Sequence, residues 1–213
     1  MTVRAIFMLL LMLPVLPVAH AADLQRFVVD NERSWIRVLV YRAGLMSVFG
    51  HNHVVASHDI SGTFECSDQL TDTTVELFFP AESLVVDAAE LRNLEGDDFR
   101  SQVSENDIRG TRENMLGHKV LNAENHSMIR IQSTGIDGEP GSLIVTADMT
   151  VPGQTNSITF PASASLSGNE IIVSGIARIS HKEIGLKPFS AAFGTLKVHQ
   201  EMTVRFEKTA VPE

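Results

Sequence analysis

Cysteine occurs once, at Cys66. No internal disulfide can brace the chain, so its stability has to come from an apolar core. Positive charge is scarce: 17 Lys and Arg stand against 26 Asp and Glu, a formal net charge of −9. So acidic a chain argues against a nucleic-acid backbone as partner, and it disfavours adsorption to anionic lipid. The signatures of common catalytic sites are missing as well. There is no G-x-S-x-G, H-E-x-x-H, C-x-x-C or Walker-type loop. Ser47, His51 and Asp59 can be drawn as a triad, but nothing in their spacing supports it. Catalysis is the least supported reading, and no cofactor is implied.

Long apolar runs are confined to the N-terminus. Arg4 precedes an apolar stretch from Ala5 to Val18, broken by Pro14 and Pro17, and then comes Ala19-His20-Ala21. This pattern is that of a secretory signal over residues 1–21, with an A-x-A cleavage site. The competing reading, a membrane anchor, fits less well because the run falls short of the ~20 residues needed to span a bilayer. Cleavage removes Arg4 and leaves a mature chain of net charge −10. No later stretch is apolar enough to cross a membrane. The remaining ~190 residues suit one domain, 22–213. Cys66 follows Phe64 by two in a strand pattern and reads as a buried, inert thiol, with an intermolecular disulfide as the alternative.

What is present is mostly period-two alternation. Ile36, Val38 and Val40 share one side of a strand. Val75, Leu77 and Phe79 share another, and Ile129 with Ile131 a third. Leu143, Val145, Ala147, Met149 and Val151 make one face, Ile158, Phe160, Ala162, Ala164 and Leu166 the next, then Ile171, Val173, Gly175, Ala177 and Ile179. Turns fall at Asp137–Gly141, Pro152–Asn156 and Ser167–Asn169. Leu196 to Phe206 closes the series. Residues 88–119 break the pattern and read as a helical insertion. Ser104 and Asp107 mark a helix start and Gly117 a stop. Ile108, Met115 and Leu116 form its narrow apolar side, and Glu105 and Arg109 are spaced to pair.

About eight strands joined by short turns predict an antiparallel barrel or sandwich. Small inward residues (Ala147, Ala162, Ala164, Gly175, Ala177) leave room in a barrel, which at this size holds one small ligand. In a sandwich they would accommodate the partner sheet, and the residues alone leave the two open.

The densest chemistry is at Gly44 to His58, where His51, His53 and His58 fall within eight positions, beside Phe49 and Gly50. His51 and His53 are two apart and share a side on extended backbone. Three readings compete: solvated loop histidines, a contact to a ligand head group, and a Zn²⁺ or Cu²⁺ site with His58 or His126 as further ligands. If Val54, Ile60 and Phe64 point inward on an unbroken strand, His51 and His53 point outward. An irregularity near Ser57 would reverse that relation.

Taken in order, several segments resemble the YceI-like family of periplasmic proteins. They are Phe27-Val28-Val29-Asp30, Ser61-Gly62-Thr63-Phe64, Met115-Leu116 leading into Val120-Leu121-Asn122-Ala123, Met128 to Ser133, Ala147 to Gly153, Gly185-Leu186-Lys187-Pro188 and Gly194 to Val198. The chain departs from the family in having His126-Ser127 where a tyrosine-proline pair is usual, and in lacking its His-Leu-x-Ser pattern between Ile108 and Leu116. The resemblance implies an all-β fold with a small helical insertion: an extended, eight-stranded, antiparallel, lipocalin-like barrel. It further implies a periplasmic carrier of a lipophilic ligand, an isoprenoid, quinone or similar amphiphile, bound without chemistry.

For such a guest, each buried CH₂ contributes about 0.8 kcal/mol, against about 1 kcal/mol for a neutral hydrogen bond. Wall shape therefore sets affinity, in one elongated hollow between the strands. Val75, Leu77, Phe79, Ile129, Phe189 and Phe193 are wall or lid candidates. Phe49, His51, His53, Met115 and Leu116 are further ligand-binding candidates, the histidines at the mouth. The alternative function is a metal- or haem-binding protein using His51 and His53. Transient contact with a membrane or membrane protein, and a monomer or homodimer, complete the expectation.

Overall fold

The computed structural model describes residues 24–66 and 72–213, so the expected signal segment lies outside the described residues. Among these residues twelve strands and two α-helices follow in order: β1 Gln25–Val29, β2 Trp35–Ala43, β3 His53–Ser57, β4 Ser61–Cys66, β5 Thr74–Pro80, β6 Val85–Val86, α1 Ala89–Leu94, α2 Glu105–Leu116, β7 Met128–Glu139, β8 Ser142–Val151, β9 Gln154–Ser167, β10 Glu170–Ser180, β11 Ser190–Ala191 and β12 Leu196–Pro212. Pairing runs β1-β4-β5-β7-β8-β9-β10-β12 and returns from β12 to β1. This is a closed, eight-stranded antiparallel barrel, as expected, not a sandwich. No helix among the described residues is long and apolar enough to cross a membrane.

The barrel has two storeys because three neighbouring strands bend at one level. β1 continues as β2 after residues 30–34, β3 continues as β4 after residues 58–60, and β5 continues as β6 after a short turn at Ala81–Ser83. Below the bends β1 pairs with β4 and with the end of β12. Above them β2 pairs with β3 and with the start of β12, and β3 with β6.

Side chains replace the ladder bonds lost at the bends, because buried backbone groups have to be satisfied somewhere. The Ile60 amide donates to Asn31 Oδ1 at 2.7 Å. The Thr209 amide donates to Ser34 Oγ at 3.1 Å. The hydroxyls of Ser57 and Ser83 share a hydrogen bond at 3.2 Å.

β12 is longer than its alternation to Phe206 announced: 17 residues, ending at Pro212. It pairs with β2 above the bends and with β1 below them.

The insertion folds as two helices. α2 starts where Ser104 Oγ accepts from the Asp107 amide at 3.2 Å, and it ends at Gly117. Ile108, Met115 and Leu116 pack against Val55, Leu84, Val86 and Leu121. Arg109 donates to Asn106 at 2.6 Å, not to Glu105. α1 and residues 97–99 cover the outer side of β2 and β3, where Phe99 and Leu91 pack on Leu39, Tyr41 and Val54. Glu95 is buried between Arg37, at 3.0 Å, and Arg205, at 3.1 Å.

The inward alanines sit where the alternation placed them, and Ala147, Ala162, Ala164 and Ala177 line the interior. Gly175 differs: the room it leaves is taken by Phe206, opposite it in register. A β-carbon there would stand 2.6 Å from Phe206 Cζ and 2.8 Å from the Pro161 carbonyl oxygen. The carbonyl belongs to the backbone and cannot swing aside. Gly175→Ala should therefore cost about 1–3 kcal/mol, read as a lower urea midpoint at unchanged slope. An unchanged midpoint would show that the strand yields freely.

Candidate ligand-binding site

Two cavities follow from the two storeys. The inner one, about 180 Å³, lies in the closed barrel. Its wall includes Ile36, Val38, Val75, Leu77, Phe79, Ile131, Ala147, Phe160, Ala162, Val173 and Phe206. Among the described residues only Thr73, Ser133 and Lys208 interrupt that apolar wall. From Thr73 to Phe79 it extends along about 20 Å of strand at ~3.3 Å per residue. The outer cavity, about 500 Å³, opens at the mouth between the loop before β3, α2, the segment after β10 and the start of β12.

The two cavities have no lining residue in common. The single hollow expected from the sequence is thus divided. Val55, Leu84, Val86, Leu121 and Val151 form a cluster with Met115, Leu116 and Leu186 that draws on both walls.

The candidate residues distribute accordingly. Val75, Leu77 and Phe79 line the inner cavity. Phe49, His51, His53, Met115 and Phe189 line the outer one. Leu116 and Ile129 pack in the dividing cluster and line neither cavity. Phe193 also lines neither: it is fully exposed, with a left-handed backbone (φ 55°).

The facing of the histidines corrects an expectation. Val54 packs outward against Leu39 and Phe99, so its neighbours His53 and Val55 face the mouth. His58 is exposed and contacts the Ser34 carbonyl at 3.2 Å. His126 lies against Gly153 in the β8–β9 turn. Neither comes to His51 or His53. Among the described residues no group of three or more His, Cys, Asp or Glu side chains could hold a metal ion.

His53 has a different partner, one that the sequence did not signal. Asp87, 34 positions away and fully buried, accepts from His53 Nδ1 at 2.6 Å. Its other oxygen accepts from the Val54 amide at 2.9 Å and from Arg92 at 2.5 Å. Arg92 is buried too and also donates to the carbonyls of Asn52 and Ser101. Burial alone would raise the Asp87 pKa. The hydrogen bond and charge of His53, the Val54 amide and Arg92 outweigh it and hold the carboxyl below its usual value.

His181, the third histidine at the mouth, bonds the Gln200 carbonyl through Nδ1 at 3.0 Å. Carboxylate and carbonyl oxygens only accept, so Nδ1 carries the proton in both rings. Nε2 is then the nitrogen of each ring not engaged in these bonds. His51 stands edge-on to His53, with ring centroids 6.5 Å apart.

Lys208 is a second site residue that apolar alternation does not reveal. It follows Phe206 in the inward register of β12, is 3 % exposed, and lines the inner cavity. Burial pushes its pKa down to about 7, with Glu207 opposing the shift.

A YceI-like family model matches residues 27–210. The chain belongs to the YceI-like family. Among solved structures it is similar to BcnA from Burkholderia cenocepacia, at 13 % identity and a TM-score of 0.61, with 86 % of this chain and 99 % of that one covered. It is also similar to a YCEI protein of Campylobacter jejuni, at 9 % identity and a TM-score of 0.54, with 75 % and 85 % covered. At these identities the likeness is one of fold. No curated protein matches the chain significantly.

Arg92→Met leaves Asp87 buried without its cation. It should cost about 3–5 kcal/mol, the usual loss when one partner of a buried pair is removed. Chemical denaturation reads that loss, and a loss below ~1 kcal/mol, the range of an exposed pair, would mean that His53 and Val54 suffice to hold the carboxylate.

Proposed function

We propose that the protein is a periplasmic binding protein that carries a lipophilic molecule, an isoprenoid, quinone or similar amphiphile, in its barrel without chemistry. The observation that carries this reading is the inner cavity, apolar along almost its whole length. Its volume exceeds the ~150 Å³ of an engineered cavity that takes up benzene. Apolar burial supplies the affinity, at about 0.8 kcal/mol per CH₂ before ordering costs. A guest longer than the inner cavity reaches the mouth by parting Met115, Leu116 and Leu186, and the histidines there meet whatever polar group stays at the entrance. The family match supports a binding protein and the periplasm as its place.

Loading has a candidate surface. Leu45, Val48 and Phe49 are strongly exposed on the loop before β3, and Phe193 on the turn before β12. The two loops are tied by the Met46 amide donating to the Thr195 carbonyl at 2.9 Å. Together they make an apolar lip on the outer cavity, flanked by Arg42 and Lys197. Apolar tips beside cations suit shallow contact with a membrane surface.

Native mass spectrometry of gently purified protein should find a lipophilic guest that organic solvent strips off. Repeated preparations without one would count heavily against the reading. Ala162→Phe fills the inner wall, and should abolish uptake of an added isoprenoid while the fold persists by circular dichroism; full uptake would place the guest elsewhere.

The lip makes a separate expectation. A Leu45→Asp, Phe193→Asp variant should take up guest from vesicles several-fold more slowly than the unaltered chain, with the same affinity for guest in solution. Equal uptake rates would remove the membrane from the scheme.

A further inference from the structure

We propose that Lys208 seats the carboxylate of a fatty acid, or a similar single-chain acid, that enters the inner cavity head first. The proposal rests on the reading of that cavity as the ligand chamber and names a class of guest for it. Three polar side chains interrupt the wall. Ser133 accepts from the Val75 amide at 2.8 Å. Thr73 Oγ1 is buried without a hydrogen-bond partner, at the far end of the β5 wall from Phe79. Lys208 alone can carry a charge, and its Nζ lies 5.9 Å from the centre of the Phe79 ring.

Two of its donors are used: Nζ donates to the Trp35 carbonyl and, at 3.3 Å, to that of Glu207. An ammonium has three donors. No carboxylate of the described residues makes a salt bridge with it. A buried cation without a counter-ion is costly. With both carbonyls satisfied, the neutral amine keeps a lone pair in the third direction, and the ammonium has a donor there that lacks an acceptor.

A carboxylic acid fits both states. It arrives neutral through the apolar channel and transfers its proton to the amine. The O–H bond breaks, the N–H bond forms, and carboxylate and ammonium remain as a pair with no other reactant needed. Such a pair, shielded from water, is a charge-assisted hydrogen bond of the strong kind. The acyl chain then lies along Val75, Leu77, Ala147 and Phe160, with its tail toward the mouth. An ester or an alcohol of the same chain buries the same apolar surface but offers no counter-charge.

Titration calorimetry with palmitic acid, methyl palmitate and farnesol tests this. The unaltered chain should bind the acid about tenfold or more tighter than its ester. Lys208→Met should lose that preference and still bind the ester. Lys208→Arg, which keeps the charge, should retain the preference. Equal affinity for acid and ester in the unaltered chain, a result that needs no variant, would overturn the proposal, as would a preference that survives Lys208→Met. Binding of farnesol without the acid would overturn it and leave the lipophilic chamber standing. Binding of none of the three would count against both.

Discussion

The shared bend of three adjacent strands is the constraint from which the rest of this molecule follows. A single bent strand would tear the ladder. Neighbours bending at one level let the sheet flare while almost every backbone group stays bonded. Asn31, Ser34, Ser57 and Ser83 supply the substitute partners there. Below that level the ladder closes through β1 and β12, and the interior is sealed from the side. Above it β6 is only two residues long, and α2 rather than another strand covers the gap. The apolar chamber and the polar mouth are thus two consequences of one piece of backbone geometry. Lys208 is a third: its amine satisfies the carbonyl of Trp35, the first residue of β2 after the bend. The cation in an otherwise greasy barrel stands where the ladder was interrupted.

Mouth and outer covering are linked through Asp87. The segment that carries it, with α1, is fastened to the outside of β2 and β3 by apolar contacts and by Glu95 between two arginines. Asp87 itself has a left-handed backbone, φ 55°, a conformation aspartate tolerates better than most residues. That backbone directs one carboxylate oxygen to Arg92 and Val54 and the other to His53. The orientation of a mouth histidine is therefore set from the opposite face of the sheet. A free imidazole turns about two bonds, whereas one held at 2.6 Å by a buried carboxylate keeps a single orientation.

What the sequence made legible was what alternation and turn chemistry encode. The strands from Met128 onward, with their turns at Pro152-Gly153 and Ser167-Gly168, are written in period two and in glycines whose φ is positive, 73° at Gly153 and 64° at Gly168. The caps of α2 are local as well, and so were readable. Facing was lost wherever parity had to be carried across the bend. Val54 and Phe64 lie on one apparent run, yet residues 58–60 separate them and reverse their relation. The Asp87–His53 contact joins residues 34 apart and has no local signature. Lys208 does have one, being two residues beyond Phe206 on the same face, but the apolar alternation stops at Phe206 while the strand runs on to Pro212. Gly175 shows the limit of counting small residues: whether one leaves a void depends on its cross-strand neighbour, here Phe206.

The division between the cavities is made by side chains and not by the ladder. β2 presents Ile36 and Val38 to the inner chamber and Val40 and Arg42 to the outer one, along one uninterrupted face. β12 also lines both, with Val198 above and Phe206 below, although its register against β2 shifts between Val198 and Met202. The backbone is thus continuous past the divider, which consists of the ends of Met115, Leu116, Leu186 and their neighbours. Methionine and leucine change rotamer without breaking a hydrogen bond, and methionine in particular repacks around irregular shapes. Joining the chambers therefore costs packing contacts alone, and under the proposed function a long guest would restore contacts of the same kind. A divider made of strand or of charged pairs would have to be broken. One made of thioether and isobutyl groups needs only to be displaced.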